Sequence, residues 1–259
     1  MNQNKIRRAA ELLAGARCAV ALTGAGVSVP SGIPDFRSPR SGLWNSANPM
    51  KVASLDAFCS DPSAFYDWIA SIAALSLEAK PNAAHYALAE MERLGRLRSI
   101  TTQNVDSLHQ RAGSQNVWEL HGHLREMTCV TCGLRLNAER PLRHLVQEHK
   151  MPRCAACGGL LKPTIVLFGE QLPRDVLMAA QKDALACDVM LVVGSSLETA
   201  PACNLPDIAR QAGAYLIIVD RGRTMADSHA EVLIRDDAAV VLPAIVEQMM
   251  HPSEVSVGE

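Results

Sequence analysis

The chain has 259 residues, enough for one large domain or for one domain with a module inserted into it. Apolar residues make up 48% of the chain and charged residues 20%, as in soluble globular proteins with a sizeable core. The net charge of −2 excludes a global basic field that would hold nucleic acid or an anionic membrane, which leaves only a local basic patch. No apolar run is long enough to span a bilayer and the start lacks a signal peptide, so we expect a cytoplasmic chain with reduced cysteines.

The predicted elements alternate between strands and helices. After a polar N-terminal helix, continuous apolar runs predict buried strands, and these runs are CAVALTGAG, LRSITTQN, PTIVL, CDVMLVVGSS and AYLIIVD. Helices are predicted from the cap Asn82 to Gly95, from Pro173 to about Ala186, and before Gly213. This order predicts an α/β fold, a doubly wound parallel Rossmann-like sheet that binds ligands at the carboxyl ends of its strands.

Two regions interrupt the alternation. Residues 38–80 hold loop residues followed by a helical pattern, and residues 125–160 hold paired cysteines. We expect these insertions to form a smaller lobe, made of a helical module and a zinc ribbon. The Rossmann-like domain is then discontinuous and is followed by a flexible tail, with boundaries at 1–37, 81–124 and 161–250 for the domain and 251–259 for the tail.

Two Cys-x-x-C pairs, Cys129/Cys132 and Cys154/Cys157, have the spacing of a four-thiolate zinc ribbon. Four thiolates complete a tetrahedron, so the predicted zinc ion is structural and needs no histidine ligand. Four free thiols are the alternative interpretation. The other cysteines are expected to be small buried hydrophobic residues, and these are Cys18, Cys59, Cys187 and Cys203.

A glycine turn follows the first predicted strand. Gly24 and Gly26 allow close backbone approach, and a helix beginning after them would favour a phosphate. The spacing lacks the third glycine of G-x-G-x-x-G because Val29 stands there, so a plain glycine turn stays open. Further along the same loop, Asp35 and Arg37 could form only a local surface ion pair.

Polar residues also follow the other predicted strands. Gln103, Asn104 and Asp106 come after the second strand, where an amide and a carboxylate could pair with a carboxamide. Asp106 could equally cap the next helix, on which His109 is expected to be a structural or surface residue. Three further motifs are each weak alone, and they are FGE at 168–170, GSS at 194–196 and Asp220.

Taken together, these motifs resemble those of the sirtuins, the NAD-dependent protein-lysine deacylases, as a bacterial-type minimal catalytic core. The resemblance covers about residue 5 to residue 250. It rests on motifs in the family's order, which are GAGVS (24–28), GIPDFR (32–37), TQNVD (102–106), HG (121–122), the two cysteine pairs, FGE and GSS. It implies the Rossmann-like fold, NAD as co-substrate, one structural zinc ion, and acylated-lysine peptides as substrates.

The resemblance also implies a role for each matching residue. His121 matches the general base, and Asn104 and Asp106 match catalytic residues that orient nicotinamide and its ribose. In the implied reaction the acyl oxygen attacks C1′ of that ribose and releases nicotinamide. His121 then takes a proton from a ribose hydroxyl, which attacks the resulting imidate. Water completes the release of the lysine amine and the formation of O-acyl-ADP-ribose.

The implied contacts fall into two sets. The substrate peptide is expected to add a strand along Val166, Phe168, Gly169 and Glu170. The implied NAD-binding residues are Gly24, Ala25, Gly26, Val29, Asp35, Phe36, Arg37, Gln103, Asn104, Val105, Asp106, His121, Gly194, Ser195, Ser196, Asp220 and Ala238.

Three positions depart from the family pattern. Asp220 replaces the usual asparagine in contact with the adenosine ribose, and Ser195 replaces the commoner threonine. Ile69 stands at the arginine position of a Tyr-x-x-Arg that pairs with acidic acyl chains, although Tyr66 is kept. We therefore predict a preference for acetyl or other uncharged acyl groups. The alternatives are a protein mono-ADP-ribosyltransferase with the same NAD site and a non-enzymatic zinc-ribbon binding protein.

Overall fold

The computed structural model describes residues 2–36, 42–45 and 47–251. The strands in these ranges are β1 (Ala19–Thr23), β2 (Ser99–Thr102), β3 (Val117–Glu119), β4 (Glu126–Cys129), β5 (Arg135–Asn137), β6 (Leu161–Pro163), β7 (Val189–Val193), β8 (Tyr215–Val219) and β9 (Val232–Ile234). The main sheet of this described part has the order β3-β2-β1-β7-β8-β9, and all its neighbouring pairs are parallel. The predicted α/β class and parallel Rossmann-like sheet are confirmed.

Helices cover both faces of this sheet. Helices α1, α5 and α10 cover one face, and α8 and α9 cover the other. The helices of the described residues are α1 (Gln3–Gly15), α2 (Pro49–Val52), α3 (Leu55–Ser60), α4 (Pro62–Glu78), α5 (Ala83–Arg93), α6 (Leu108–Ala112), α7 (Glu139–Glu148), α8 (Arg174–Ala186), α9 (Leu205–Gln211) and α10 (Ala238–Met250). None of these described helices combines the length and the apolar character needed to cross a membrane.

The central strands are apolar on both sides because each side contacts a separate core. In β1, Ala19 and Ala21 face a core shared with α1, α5 and α10, while Val20 and Leu22 face one shared with α8 and α9. This two-sided burial is the reason that the strands form continuous apolar runs. Strand β1 pairs with β2 on one side and β7 on the other, so the winding reverses there and a crevice opens between the carboxyl ends of β1 and β7.

The two predicted insertions pack together in a core of their own. Helices α3 and α4 contribute Phe58, Phe65 and Ile69, and the second insertion contributes Met127 and Leu142. The second insertion contains α7 and an antiparallel sheet in the order β5-β4-β6. A separate core supports the idea of a small lobe, and the exact domain boundaries stay a prediction.

The strand predictions contain two errors. Strands β3 and β9 of the main sheet and strands β4 and β5 of the second insertion were not predicted, because each has only three or four residues and none forms a long apolar run. The strand predicted over PTIVL is wrong beyond Pro163, where β6 ends. Thr164 N–H donates to the carbonyl oxygen of Glu126 and Leu167 N–H to the Glu170 carboxylate, so loop and side-chain acceptors shape this segment.

The four cysteines outside the Cys-x-x-C pairs are less buried than predicted. Cys187 is buried, whereas Cys18 and Cys203 are partly exposed and Cys59 is exposed. The prediction of buried thiols is therefore wrong for three of the four. Cys59 is exposed because helix α3 buries the side that carries Ala57 and Phe58. The predicted flexible tail lies outside the described residues from residue 252 onward.

Two histidines are buried beneath the carboxyl end of β1. His109 lies with Nε2 2.9 Å from the hydroxyl of Thr23, and its ring centroid is 4.9 Å from that of His85. His85 in turn accepts a hydrogen bond from the N–H of Asn82, within the cap of α5. Burial lowers the pKa of His85 to about 4 and that of His109 to about 3, so both rings are neutral at pH 7. His109 is thus a structural residue and not a surface one.

These rings should make the stability of the protein fall in acid. An unfolded histidine has a pKa of 6.5, so below that pH the unfolded chain binds protons that the folded chain does not. The stabilisation is complete above pH 6.5 and is lost as the pH falls toward 4 for His85 and 3 for His109. Each ring should lower the free energy of unfolding by about 2 kcal/mol between pH 8 and pH 5.

Urea unfolding at the two pH values measures this effect. His109→Gln should reduce the difference between the two free energies of unfolding, whereas His144→Gln, at an exposed position of α7, should leave it unchanged. An equal pH dependence in the wild type and in His109→Gln would contradict the prediction.

Candidate functional site

A cavity of about 1050 Å³ opens at the carboxyl ends of the central strands, beside the crevice between β1 and β7. Arg37 lies outside the described residues, and Asp106 does not line the cavity. All the other predicted NAD and peptide residues meet in its wall, and they are Gly24, Ala25, Gly26, Val29, Asp35, Phe36, Gln103, Asn104, Val105, His121, Val166, Phe168, Gly169, Glu170, Gly194, Ser195, Ser196, Asp220 and Ala238.

Three glycines allow the turns after β1 and β7 to touch. The N–H groups of Gly24 and Gly26 donate to the carbonyl oxygens of Val193 (3.0 Å) and Gly194 (2.9 Å). A Cβ atom on Gly24 would lie 2.7 Å from the Gly194 carbonyl oxygen, and one on Gly26 would lie 2.7 Å from the Gly194 Cα. These contacts exclude any side chain, so the glycines join two strand ends that are distant in sequence.

The helix predicted after this glycine turn does not form. Two 3₁₀ turns, Ala25–Val27 and Val29–Ser31, replace it, and Gly32 ends the second turn with a φ of 86°. The prediction of a phosphate-binding helix N-terminus is therefore wrong at this loop. The loop instead lines the cavity with Gly24 and Gly26, which lack Cβ atoms, together with Ala25 and Val29.

A chain of buried hydrogen bonds fixes the polar residues after β2. Asn104 Nδ2 donates to the carbonyl oxygen of Gly24 and to Ser28 Oγ, both at 3.1 Å. Ser28 Oγ donates to Asp106 Oδ2 (2.7 Å), and Asp106 Oδ1 accepts from the N–H of Leu108 (2.9 Å). Asp106 precedes the N-cap residue Ser107 and accepts from the first N–H of α6, which is close to the capping role of the alternative interpretation. Burial raises the pKa of Asp106. It stands behind the cavity wall and holds the wall in place.

His121 is oriented by the backbone on two sides. Its Nδ1 lies 2.9 Å from the carbonyl oxygen of Gln103. A carbonyl oxygen only accepts, so Nδ1 carries a proton and Nε2 is the basic nitrogen of the neutral ring. Gly122 has a φ of 71°, and a Cβ atom there would lie 1.9 Å from the carbonyl oxygen of Thr164. That close approach lets Val166 N–H donate to the carbonyl oxygen of His121 (2.9 Å).

The segment after β6 has an open backbone edge. Phe168 anchors it, because its N–H donates to the carbonyl oxygen of Ala53 and its carbonyl oxygen accepts from the N–H of Leu55, both at 2.9 Å. Gly169 and Gln171, which are exposed, have no backbone partner among the described hydrogen bonds. Open N–H and C=O groups beside a cavity suit the addition of a strand from another chain.

The small-lobe side of the cavity is apolar and aromatic. Trp44 and Trp68 stack with ring centroids 5.6 Å apart, and Ile69 of α4 lies in the wall beside them. The hydroxyl of Tyr66 is committed elsewhere, since it donates to the carbonyl oxygen of Leu161 (3.0 Å). Helix α4 contains no lysine or arginine that could pair with an acidic group here.

The four paired cysteines converge in the antiparallel sheet of the small lobe. Their Sγ atoms all lie within 4.8 Å of one another, with 3.5 Å between Cys129 and Cys157 and 3.8 Å between Cys132 and Cys154. A tetrahedral zinc ion with Zn–S bonds of about 2.3 Å needs sulfurs about 3.8 Å apart. The N–H of Cys132 contributes most to lowering the pKa of Cys129 to about 6, which favours a thiolate. The set fits a structural zinc ion.

Comparisons with known proteins identify the family. The model of the Sir2 family matches residues 24–201, more than half of the chain. The chain belongs to the Sir2 family. A relative from Archaeoglobus fulgidus, named NAD-dependent protein deacylase 2, is 45% identical over 248 residues, which cover 95% of this chain and 97% of the relative.

Two solved Sir2 structures are similar to this chain. One contains a deacetylated p53 peptide and 3′-O-acetyl ADP ribose, with a TM-score of 0.89 at 39% identity, covering 94% of this chain and 98% of that chain. The other is bound to a myristoylated histone peptide, with a TM-score of 0.82 at 41% identity, covering 96% of this chain and 97% of that chain.

In this Sir2-family chain, the acidic residue after β8 is held by its neighbours. The N–H of Asp220 donates to the carbonyl oxygen of Ile234 (3.1 Å), and its Oδ1 accepts from the N–H of Gly222 (2.7 Å). Burial raises the pKa of Asp220. Arg221 and Arg223, which were not predicted as site residues, line the same end of the cavity.

Other wall residues of this Sir2-family site were also missed. Trp44, Trp68 and Ile72 come from residues 38–80, where the sequence indicated only loops and helices. Tryptophan is rare in this chain, with three in all, and two of them in that insertion were the available signal.

Proposed function

We propose that this chain removes acetyl and other uncharged acyl groups from protein lysines in a reaction that consumes NAD and yields nicotinamide and O-acyl-ADP-ribose. The observation that carries the proposal is the position of His121. Its ring lies in one cavity with the joined glycine turns and with the open backbone edge beyond Phe168. A base, a dinucleotide crevice and a peptide edge meet at one place.

In this proposal NAD lies across the crevice between β1 and β7. The turns at Gly24–Gly26 and Gly194–Ser195 take the phosphates, because their backbones approach the cavity without bulky side chains. Asp220 takes the adenosine ribose through the carboxylate oxygen that Gly222 leaves available. Gln103 is fixed by a hydrogen bond from its Nε2 to Ser195 Oγ (3.0 Å) and lies toward the nicotinamide end.

The proposed chemistry assigns different tasks to His121 and to the network behind it. His121 Nε2 accepts a proton from a ribose hydroxyl, and the Gln103 carbonyl oxygen stabilises the proton on Nδ1. Asn104 and Asp106 keep the nicotinamide side of the wall in place through Ser28. Asp106 acts on a bound ligand only after its hydrogen bond from Ser28 is exchanged or shared.

The acylated lysine is proposed to enter from a peptide strand along Gly169 and Gln171. The neighbouring residues Val166 and Phe168 are held by protein hydrogen bonds, so the edge is ordered before the peptide arrives. Strand addition uses main-chain groups, which accept many peptide sequences. The cytoplasm is the proposed location, supported by four thiols that are arranged for zinc rather than joined in disulfides.

The assay that tests the proposal mixes the protein with NAD and an acetyl-lysine peptide. Free nicotinamide, deacetylated peptide and O-acetyl-ADP-ribose should appear together in equal amounts. Protein that carries ADP-ribose without deacetylated peptide would support the transferase alternative. An absence of NAD consumption would overturn the proposed function.

Acyl preference provides a separate prediction. Trp44, Trp68 and Ile69 offer no cation to an acidic acyl chain, so burying a succinyl carboxylate there leaves it unpaired. A succinyl-lysine peptide should therefore have a kcat/KM at least about tenfold below that of its acetyl counterpart. A propionyl or butyryl peptide is the matched uncharged control and should stay close to acetyl. Faster turnover of the succinyl peptide would contradict the prediction.

A further inference from the structure

The sequence analysis gives Lys162 no role in the site, yet in the structure its ammonium group has three hydrogen-bond acceptors. Its Nζ donates to the carbonyl oxygen of Ile165 (2.8 Å), to Glu170 Oε2 (2.9 Å) and, at 3.5 Å, to the carbonyl oxygen of Pro163. The side chain is only 14% exposed. An ammonium group has three protons, and three acceptors surround this one.

The carboxylate that pairs with Lys162, that of Glu170, also bonds to the backbone of the segment 163–170. Glu170 Oε2 also accepts from the N–H of Leu167 (2.8 Å), and the N–H of Glu170 donates to the carbonyl oxygen of Leu167 (2.9 Å). These bonds commit the carboxylate to residues 163–170, although the resemblance predicts Glu170 as a peptide contact. Its side chain is 25% exposed, so the pair is shielded from water more than a surface ion pair.

Residues 163–170 connect three parts of the site. At one end they continue β6, which pairs with β4 so that Leu161 stands opposite Cys129. In the middle, Val166 N–H donates to the carbonyl oxygen of His121. At the far end, Phe168 is bonded on both sides to the start of α3, just before the open edge at Gly169. One ammonium group thus holds the chain between the four-cysteine lobe and the catalytic histidine.

We propose that Lys162 is a positioning residue for the substrate peptide, which acts by holding residues 163–170 through Glu170. The proposal rests on the proposed function, since it assumes that a peptide pairs along this edge. Without the ammonium group, the Glu170 carboxylate keeps its hydrogen bond from Leu167 but loses its only described cation, and the Ile165 carbonyl oxygen loses its donor. The segment then loosens where the peptide binds, while the NAD crevice is unaffected.

The test is Lys162→Met, which keeps the length of the aliphatic stem and removes the charge. The KM for an acetyl-lysine peptide should rise about tenfold, and the KM for NAD should stay within about twofold of wild type. Lys162→Arg, which can still pair with Glu170, should recover part of the loss. Lys182→Met is the matched control, because Lys182 is an exposed lysine on α8. Zinc content should equal that of wild type in all three variants.

Two further measurements keep the proposal separate from the proposed function. Amide hydrogen exchange at Leu167 and Val166 should accelerate in Lys162→Met and remain slow in Lys182→Met, a result that needs no enzyme activity. Glu170→Ala combined with Lys162→Met should be no worse than either change alone if the two side chains act as one unit. Unchanged exchange at Leu167, or equal rises in the KM values for peptide and NAD, would overturn the positioning role even with an active wild type. An inactive wild type would overturn the proposed function, and the exchange result would still decide the role of Lys162 in ordering the segment.

Discussion

Replacing His121 with alanine is expected to lower lysine deacylation roughly a hundred- to ten-thousand-fold. The ring is the basic group that the Gln103 carbonyl oxygen orients, with the proton on Nδ1 and the basic nitrogen at Nε2. Alanine removes the base but keeps the backbone carbonyl that accepts from Val166, so the peptide edge should persist. The measurement is kcat/KM for an acetyl-lysine peptide, with NAD binding followed by calorimetry.

The matched control for this change is His123→Ala. His123 lies two residues along, its Nδ1 is 3.2 Å from Thr164 Oγ1, and neither His123 nor Thr164 lines the cavity. It should keep turnover within a few-fold of wild type, with zinc content unchanged in both variants. If the His121 variant retained near-normal turnover, or if it lost NAD binding as well, the general-base role would fail.

Replacing Cys154 with serine is expected to release the zinc ion and to unfold the small lobe. Cys154 is buried and its Sγ lies 3.8 Å from that of Cys132, so its loss opens one corner of the tetrahedron. The free energy of zinc binding contributes directly to folding in sites of this kind, roughly 10 kcal/mol or more in isolated zinc-finger peptides. Zinc per chain should fall from one to well below one half, and a chelator should destabilise wild type in the same way.

Cys59→Ser is the matched control for that experiment. Cys59 is exposed on α3 and belongs to the same lobe, so it tests the effect of losing a thiol that has no part in the cluster. Its zinc content and thermal midpoint should match those of wild type. A full complement of zinc in the Cys154 variant would show that the four thiolates are not the ligand set.

The parts of the fold that the sequence predicted are those in which burial determines composition. Runs such as CDVMLVVGSS are apolar on both sides because the sheet is covered on both sides, so the central strands were recognisable. Strands β3 and β9 were not, since three residues leave too short a pattern. PTIVL differs from its predicted strand because Ile165 and Leu167 fill the core of the small lobe, while the Leu167 N–H bonds to a carboxylate instead of to a neighbouring strand.

The sequence predicted the site residues whose chemistry requires a particular residue type. It did not predict the contacts that depend on how the folded chain packs. Cys129 and its partners, the glycine turn and His121 all stand in recognisable motifs. The Tyr66 hydroxyl bonds to the Leu161 carbonyl oxygen, a contact between distant parts of the chain, and the pairing of Glu170 with Lys162 depends on the fold of the segment between them. Motif spacing encodes neither contact. Asp106 lies behind the cavity wall, where it bonds both to the start of α6 and to Ser28.

The contacts of Gly24 and Gly26 with Gly194 also constrain the order in which parts of the protein fold. Strand β1 leaves the ribosome early, but its turn takes its shape from β7, which is synthesised much later. The four cysteines, by contrast, lie close together in the chain and can bind their metal while synthesis continues. During translation the small lobe can therefore be complete before the crevice exists, while the edge of β1 that later pairs with β7 stays unpaired.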